Sequence, residues 1–500
     1  MKMNYENNFQ TNESINDEYQ DIIIVGAGLS GIAAAYYLKR QCPHKSIRLL
    51  ESRDRVGGTW DLFSYPGVRS DSDMYTFGFS FQPWSAQQSI ADGNDIRDYI
   101  EKTAAEQDVL KSIDFGCQLI TASWCSKSAH WTLTVQRSGR EKTDTIRCCF
   151  LIFCTGCYDH KLGYKPQFTG ESLFKGEIIH PQQWPNHLDY TGKHIVVIGS
   201  GATAITLVPT MAKTAAHVTM LQRSPSYIMS MPRKDPFAYL LRWVLPAFMV
   251  HHILRWKNAL FYTISFGIAR KFPRLARIFL KSHMSRAAGP DIDAKHLSPS
   301  YMPWDQRVLV TTDGELFKAL REGQVSICTA DVQEFTPQGV LTNTGELLKA
   351  DIIVTATGFN MQYLGGVFVS IDGDEFNIGN SVLYRGCMLS GLPNTAMLFG
   401  YTNSSWTLKA EASMRFFCRM INYMDQQGLN TGTPTIDQSH IETEPFLEMT
   451  SGYIGRAAGY IPLQGRSYPW RLKQNYLYDL AVLQFGRIND GVLKFTKAEK

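Results

Sequence analysis

Residues 21–40 read DIIIVGAGLSGIAAAYYLKR, and the fold is decided here. The apolar run from Asp21 to Val25 predicts a buried parallel strand. Gly26-Ala27-Gly28-Leu29-Ser30-Gly31 follows at once, and Ile32 to Arg40 predicts a helix. Ser46 to Leu50 predicts the next strand, which ends at Glu51, twenty residues after Gly31. Strand, GxGxxG, helix, strand and acid are the parts of a dinucleotide-binding unit. Gly26 is expected to make the tight turn, Gly28 to let the backbone approach a pyrophosphate, and Gly31 to let the helix pack on the strand. The helix N-terminus would take the phosphates and Glu51 a ribose hydroxyl. An ordinary glycine turn is the competing reading, and the flanking elements disfavour it.

Working outward, Arg53-Asp54-Arg55-Val56-Gly57-Gly58-Thr59-Trp60 places a Gly-Gly element after the first unit, which points to FAD rather than NAD there. Dithiol reductases also carry Gly-Gly at this place but follow it with a redox cysteine pair. This chain has Trp60 and no cysteine between Cys42 and Cys117, so dithiol chemistry is disfavoured. A second unit begins at His194-Ile195-Val196-Val197-Ile198, with Gly199-Ser200-Gly201-Ala202-Thr203-Ala204 as its turn. Its next predicted strand, Val218 to Leu221, ends in Gln222-Arg223-Ser224. Arginine pairs with a 2′-phosphate where a carboxylate would repel it, so NADPH is expected rather than NADH. A surface arginine at a strand end is the bland alternative; its place relative to the glycines favours the phosphate.

Two further apolar strands, Phe150 to Gly156 and Asp351 to Gly358, each end in a Thr-Gly turn. They mark where the chain would pass between a flavin domain and an inserted nucleotide domain. The expected fold is α/β: two Rossmann-like dinucleotide-binding domains (FAD and NADP), the second inserted in the first, with a helical insert. The expected segments are 1–155 and 359–500 for FAD, 156–230 and 303–358 for NADP, and 231–302 for the insert.

Composition bounds the rest. The chain has 500 residues, 44% of them hydrophobic and 19% charged, which excludes a disordered chain. A net charge of +4 gives no sign of a nucleic-acid binder. Ten cysteines are too few for a disulfide scaffold of this length. The polar stretch from Met1 to Gln20 has no apolar core and reads as a solvated tail, not a signal peptide. A cytoplasmic address is expected, with peripheral contact on the inner face of the cell membrane as an extension.

Two longer patterns carry a resemblance. Phe174-Lys175-Gly176-Glu177-Ile178-Ile179-His180-Pro181-Gln182-Gln183-Trp184-Pro185 fits FxGxxxHxxxWP, and residues 57–71, GGTWDLFSYPGVRSD, fit [AG]GxWxxxx[FY]P[GM]xxxD. With both glycine motifs, the chain resembles the class B flavin-dependent Baeyer–Villiger monooxygenases. Pro303-Trp304-Asp305-Gln306-Arg307, residues 400–409 and Pro469-Trp470-Arg471-Leu472 make it similar to the ethionamide-activating and the long-chain alkane/ketone branches of that family. The resemblance implies that Gly26, Gly28, Gly31 and Glu51 hold FAD. It places Trp60 and Asp71 near the flavin, with Asp71 orienting the active-site Arg307. Gly199, Gly201, Arg223 and Ser224 would hold NADPH. Phe174, Gly176, His180 and Trp184 form a linker that couples the domains. Many relatives have Lys immediately before the active-site arginine; Gln306 stands here, which puts more of the NADPH preference on Arg223.

The family's chemistry implies that NADPH reduces FAD and that O2 then gives a flavin peroxide. Its anion attacks a ketone, and the adduct rearranges to an ester. Apolar long-chain or aryl ketones are the expected substrates. Oxygenation of sulfides, thioamides or amines is the alternative, and a non-catalytic, membrane-bound redox flavoprotein is a third reading from another class. Asp71 and Arg307 together argue against the third.

Other signals are discounted. Cys148, Cys149, Cys154 and Cys157 lie in a buried-strand pattern with no second matched pair, so no metal site is expected. His251-His252 lies among apolar residues and reads the same way. The segment from Arg233 to Arg286 stands apart: eleven cations against Asp235 alone give it +10, leaving −6 for the remaining chain. Aromatic residues interleave with the cations, and Pro246 and Pro273 are expected to break it into shorter helices. Tyr239 to Leu254 is too short to span a bilayer. The segment is expected to be a helical lid packed on the NADPH domain, with membrane-surface contact compatible with that role.

Overall fold

The computed structural model describes residues 18–436, 441–457 and 459–498, so most of the polar N-terminal stretch lies outside the described residues. Strand β1 (Glu18–Val25) leads into helix α1 (Leu29–Gln41) and strand β2 (Ile47–Leu50). Short helices α2 (Thr59–Leu62) and α3 (Met74–Phe77) and the longer α4 (Gly93–Glu106) follow. Then come β3 (Ile113–Asp114), β4 (Cys117–Cys125), β5 (His130–Arg137) and β6 (Asp144–Phe153). Strand β1 pairs in parallel with β2 and β6, setting Ile22 opposite Ile47 and Phe150. Side chains alternate across a strand. Ile22 and Ile24 therefore pack with the α1 core, while Ile23 and Val25 pack on the other face with Trp131 and Leu133. Burial on both faces is why the run is unbroken by polar residues.

The chain then leaves this sheet. Strand β7 (Tyr158–Gly163) carries it to β8 (Glu177–Ile179), β9 (His194–Ile198), α5 (Ala202–Met211), β10 (His217–Gln222) and β11 (Ile228–Met231). Helices α6 (Pro236–Leu241), α7 (Ala247–Lys271) and α8 (Pro273–Ala288) come next. Strand β12 (Leu309–Thr312), helix α9 (Glu315–Arg321) and strand β13 (Val325–Thr329) return to the second sheet. After a hairpin layer of β14 (Val332–Thr336), β15 (Gly339–Thr342) and β16 (Leu347–Lys349), β17 (Ile352–Thr355) fills that sheet. Its order is β13-β10-β9-β17-β8, with every pairing parallel. Strand β18 (Phe359–Met361) runs antiparallel to β7, so the outgoing and returning crossings lie side by side. The chain then rejoins the first sheet through β19 (Phe368–Ile371), β20 (Asp374–Glu375) and the strand Thr395–Met397. Helix α10 (Trp406–Gln427) covers α1, and the short α11 (Gly452–Arg456) sits beside β18. The architecture is α/β with two Rossmann-like sheets, the second built from chain inserted between parts of the first.

The helical insert departs from expectation in its packing. Asp235 caps α6 through the Phe237 and Ala238 amides, and Pro236 and Pro273 occupy first-turn positions of α6 and α8. Pro246, the N-cap residue of α7, and Pro273 set the breaks as the sequence implies, yet α7 runs 25 residues, well past Leu254. Only α8 packs on the second sheet's core, through Leu280, Met284 and Ala288. Helices α6 and α7 lie against the segment of the first sheet instead, with Ala238, Val250 and Leu254 around Tyr75. The cause is Arg255, which reads as a surface cation in sequence but is buried. Its guanidinium donates to the carbonyls of Tyr75, Thr76 and Gly78 and to Glu411 on α10 at 3.0 Å. Removing one partner of such a buried, paired charge costs about 3–5 kcal/mol, so α7 is locked to α3 and α10. His251 is also structural: its Nδ1 accepts from the Trp84 amide, and burial lowers its pKa to about 3.

Candidate functional site

At the first glycine turn, helix α1 begins at Gly28 with no side-chain cap and no acid in its first turn. Its leading N–H groups are left for an anion. A Cβ on Gly31 would lie 1.9 Å from the Gly26 carbonyl oxygen, so only glycine allows helix and turn to close. Gly58, at the head of α2, faces Gly28 across the turn. Glu51 is buried, and its carboxylate accepts from the amides of Ala27 at 2.7 Å and Arg53 at 2.9 Å. Those bonds fix the carboxylate at the strand end, and its remaining lone pairs suit a ribose hydroxyl. Trp60 sits on α2, edge-on to Phe77 with ring centroids 5.5 Å apart.

The second turn is built alike and is more open. Gly201 caps α5, again with no side-chain bond and no acid in the first turn. A Cβ there would meet nothing within 4 Å, and the N-terminus faces free space. Ser200 Oγ donates to the Ser224 carbonyl at 2.9 Å, tying the glycine turn to the end of β10. Arg223 is exposed at that end and has no carboxylate partner among the described residues. Both turns therefore fit phosphate-bearing nucleotides, with opposite charge at their strand ends.

Asp71 and Arg307, 236 residues apart in the chain, meet at 3.0 Å. Their side chains keep 40% and 38% of their surface, so the pair lines a crevice rather than a sealed core. The Asp71 carboxylate raises the Arg307 pKa above its ordinary value against the opposing effect of burial, and the guanidinium stays charged. Tyr158, Tyr262 and Tyr453 lie within electrostatic reach of Arg307. Burial raises the pKa of all three phenols, so they hold their protons at neutral pH. Tyr262, from α7, donates to Asp73 Oδ2 at 3.0 Å and brings the insert to this crevice. None of the tyrosines was marked by a motif; they come from three separate segments and only the fold assembles them.

Of the four residues expected to form a linker, His180 lies where the chain crosses between the sheets, while Phe174, Gly176 and Trp184 pack within the second. His180 Nδ1 accepts from the Gln182 amide, so Nε2 carries the proton and donates to the Gly358 carbonyl at 3.2 Å. Burial lowers the His180 pKa, keeping it neutral. Gly358 is the turn after β17, so His180 bonds one crossing to the other. A Cβ on Gly176 would lie 2.0 Å from the Asp351 carbonyl oxygen. Phe174 stands edge-on to Phe335 and Trp184 packs on the second sheet's core.

A cavity of about 500 Å³ lies under α7. Phe266, Trp304, Phe446 and Met449 give it apolar walls, with Arg270 and Lys473 at polar positions. Trp304, three residues before Arg307, stands edge-on to Phe266 at 5.2 Å.

Comparison with known proteins agrees with this fold. A family model described as flavin-binding monooxygenase-like matches residues 20–378. The FAD-containing monooxygenase EthA of Mycobacterium tuberculosis is 47% identical over 482 residues, 96% of this chain and 98% of that relative. The probable FAD-binding monooxygenase AlmA of Acinetobacter baylyi is 44% identical over 483 residues, 96% of this chain and 97% of that relative. Among solved structures, an oxidized steroid monooxygenase bound to NADP superposes with a TM-score of 0.78 at 20% identity, covering 96% of this chain and all of the other. OTEMO in complex with FAD and NADP superposes with a TM-score of 0.74 at 21% identity and the same coverage. The two structures share the fold described above.

Proposed function

The chain belongs to the flavin-binding monooxygenase-like family, and from that premise we propose that it is an NADPH- and O2-dependent Baeyer–Villiger monooxygenase converting apolar long-chain or aryl ketones to esters. The observation that carries this reading is the Arg307–Asp71 pair in an open crevice between two nucleotide frames. FAD, when bound along Gly26, Gly28, Gly31 and Glu51, supplies the electron transfer and the activation of O2. NADPH is assigned to Gly199, Gly201, Arg223 and Ser224. Arg307 holds negative charge as it builds on oxygen during attack on a ketone carbonyl, without itself giving up a proton. Asp71 fixes the guanidinium, and Trp60 borders the flavin side. Phe174, Gly176, His180 and Trp184 keep the two frames in register. The domain limits follow: 1–155 with 359–500 for FAD, 156–230 with 303–358 for NADP, and 231–302 as a lid.

Oxygen transfer to sulfides or thioamides is the second reading. Three protonated phenols near Arg307 favour it, because proton donors there suit electrophilic delivery of oxygen to a soft atom. Mass spectrometry over 2-alkanones of graded length, aryl ketones and sulfides separates the readings. Esters are the expected major product; sulfoxides alone would move the assignment to the second reading, and no oxygen insertion anywhere would leave a non-catalytic flavoprotein.

The same reading includes peripheral contact with an anionic membrane surface through residues 233–286. Trp243 between α6 and α7, Phe248, Phe261 and Ile268 on α7, and Leu275 and Phe279 on α8 are all more than half exposed, on a segment carrying +10. Aromatic rings and arginine stems suit the headgroup boundary. No helix among the described residues is long and apolar enough to cross a membrane. Liposome sedimentation should show binding that rises with anionic lipid, and no co-sedimentation with either vesicle type would remove this part of the proposal.

A further inference from the structure

Arg456 ends the short helix α11, 233 residues beyond Arg223 in the chain. Its guanidinium carbon lies over the Tyr164 ring, 3.4 Å from the centroid. One nitrogen donates to the Phe359 carbonyl at 3.4 Å and stands beside the Gly358 turn, 3.9 Å from where a Cβ on that glycine would be. Gly358 has φ +105°, and its carbonyl is held by the Tyr164 amide and by His180. The ring, the carbonyl and the turn therefore fix the position of this cation. They do not neutralise it: Arg456 has no carboxylate partner among the described residues.

Arg223 approaches from the end of β10, two strands from the end of β17 in the same parallel sheet. Burial lowers the Arg456 pKa from its ordinary value, the Tyr164 side chain raises it, and the positive field of Arg223 lowers it. The two guanidiniums thus stand on the same edge of the sheet and feel each other's charge, and neither has a carboxylate partner among the described residues. Like charges so placed repel unless an anion sits with them. The carboxyl ends of parallel strands, beside the uncapped N-terminus of α5, are where a nucleotide phosphate is received.

We infer that Arg456 is a specificity-determining residue that joins Arg223 in clamping the 2′-phosphate of NADPH. A phosphate monoester dianion matches two guanidiniums in charge and in donor geometry. The clamp also explains how the chain manages with Gln306, which offers no charge. Because α11 carries Tyr453 to the Arg307 crevice and Arg456 to the phosphate, one short helix would register an occupied NADPH site next to the reacting centre.

The inference rests on NADPH being the reductant, and the test separates the two. NADP+ and NAD+ are titrated onto the flavin-loaded protein, reading flavin absorbance and fluorescence, for the parent, Arg456→Ala, Arg456→Lys and Arg223→Ala. Arg456→Ala should weaken NADP+ about tenfold or more while leaving NAD+ unchanged. Arg456→Lys should recover most of the loss, and flavin content should be equal throughout. An unchanged NADP+ affinity in Arg456→Ala, or an equal loss for both nucleotides, overturns the inference alone. An unchanged NADP+/NAD+ ratio in Arg223→Ala overturns the NADPH reading and this inference with it.

Discussion

The two nucleotide frames share one plan and differ at two places. In each, a buried parallel strand enters a glycine turn, and an uncapped helix follows with no acid in its first turn. The first frame is tight: Gly31 touches the Gly26 carbonyl and Gly58 closes over Gly28. The second has Ala204 at the corresponding third position and open space beside Gly201. The strand ends differ in sign. Glu51 is buried and held by two amides, whereas Arg223 is exposed and has no acid partner among the described residues. The difference teaches that a preformed, closed frame suits a resident cofactor, and an open frame with unspent positive charge suits a nucleotide that comes and goes.

Substitutions can break that contrast. Gly31→Ala should have the largest effect, because its methyl has no room against the Gly26 carbonyl. The expected outcome is protein purified without flavin or not folded at all, read by absorbance and circular dichroism. Arg223→Ala comes next. It should raise the KM for NADPH about tenfold or more and leave that for NADH nearly unchanged; equal effects would erase the charge difference between the frames. Gly201→Ala is the mildest. Its methyl meets no protein atom, so the melting temperature should stay within about 2 °C of the parent, while the KM for NADPH rises as the backbone is held off the pyrophosphate. A large drop in melting temperature would mean the second frame is as tight as the first.

Much of this was legible in the sequence because it depends on local chemistry. Glycine spacing, continuous apolar strands and the charge at each strand end follow from neighbours within about thirty residues. The Asp71–Arg307 pair was legible only through motif resemblance, since nothing in spacing links positions 236 residues apart. Tyr158, Tyr262 and Tyr453 were not legible: each is an ordinary tyrosine until β7, α7 and α11 converge on Arg307. The packing of the helical insert was not legible for a related reason. Arg255 lies among the cations of a basic segment, and its burial depends on Glu411, 156 residues away. That long-range pair holds α7 on the flavin side, while α8 alone keeps the expected contact with the second sheet. The helical insert thus touches both frames rather than belonging to one.

In the proposed function, Arg307, positioned by Asp71, enables oxygen insertion where the two frames meet. The most direct test follows NADPH oxidation and ester formation together, under labelled O2, in the parent and in Arg307→Ala. The variant should keep its flavin and still oxidise NADPH, while label no longer enters the ester. Labelled ester formed at the parent rate would contradict it.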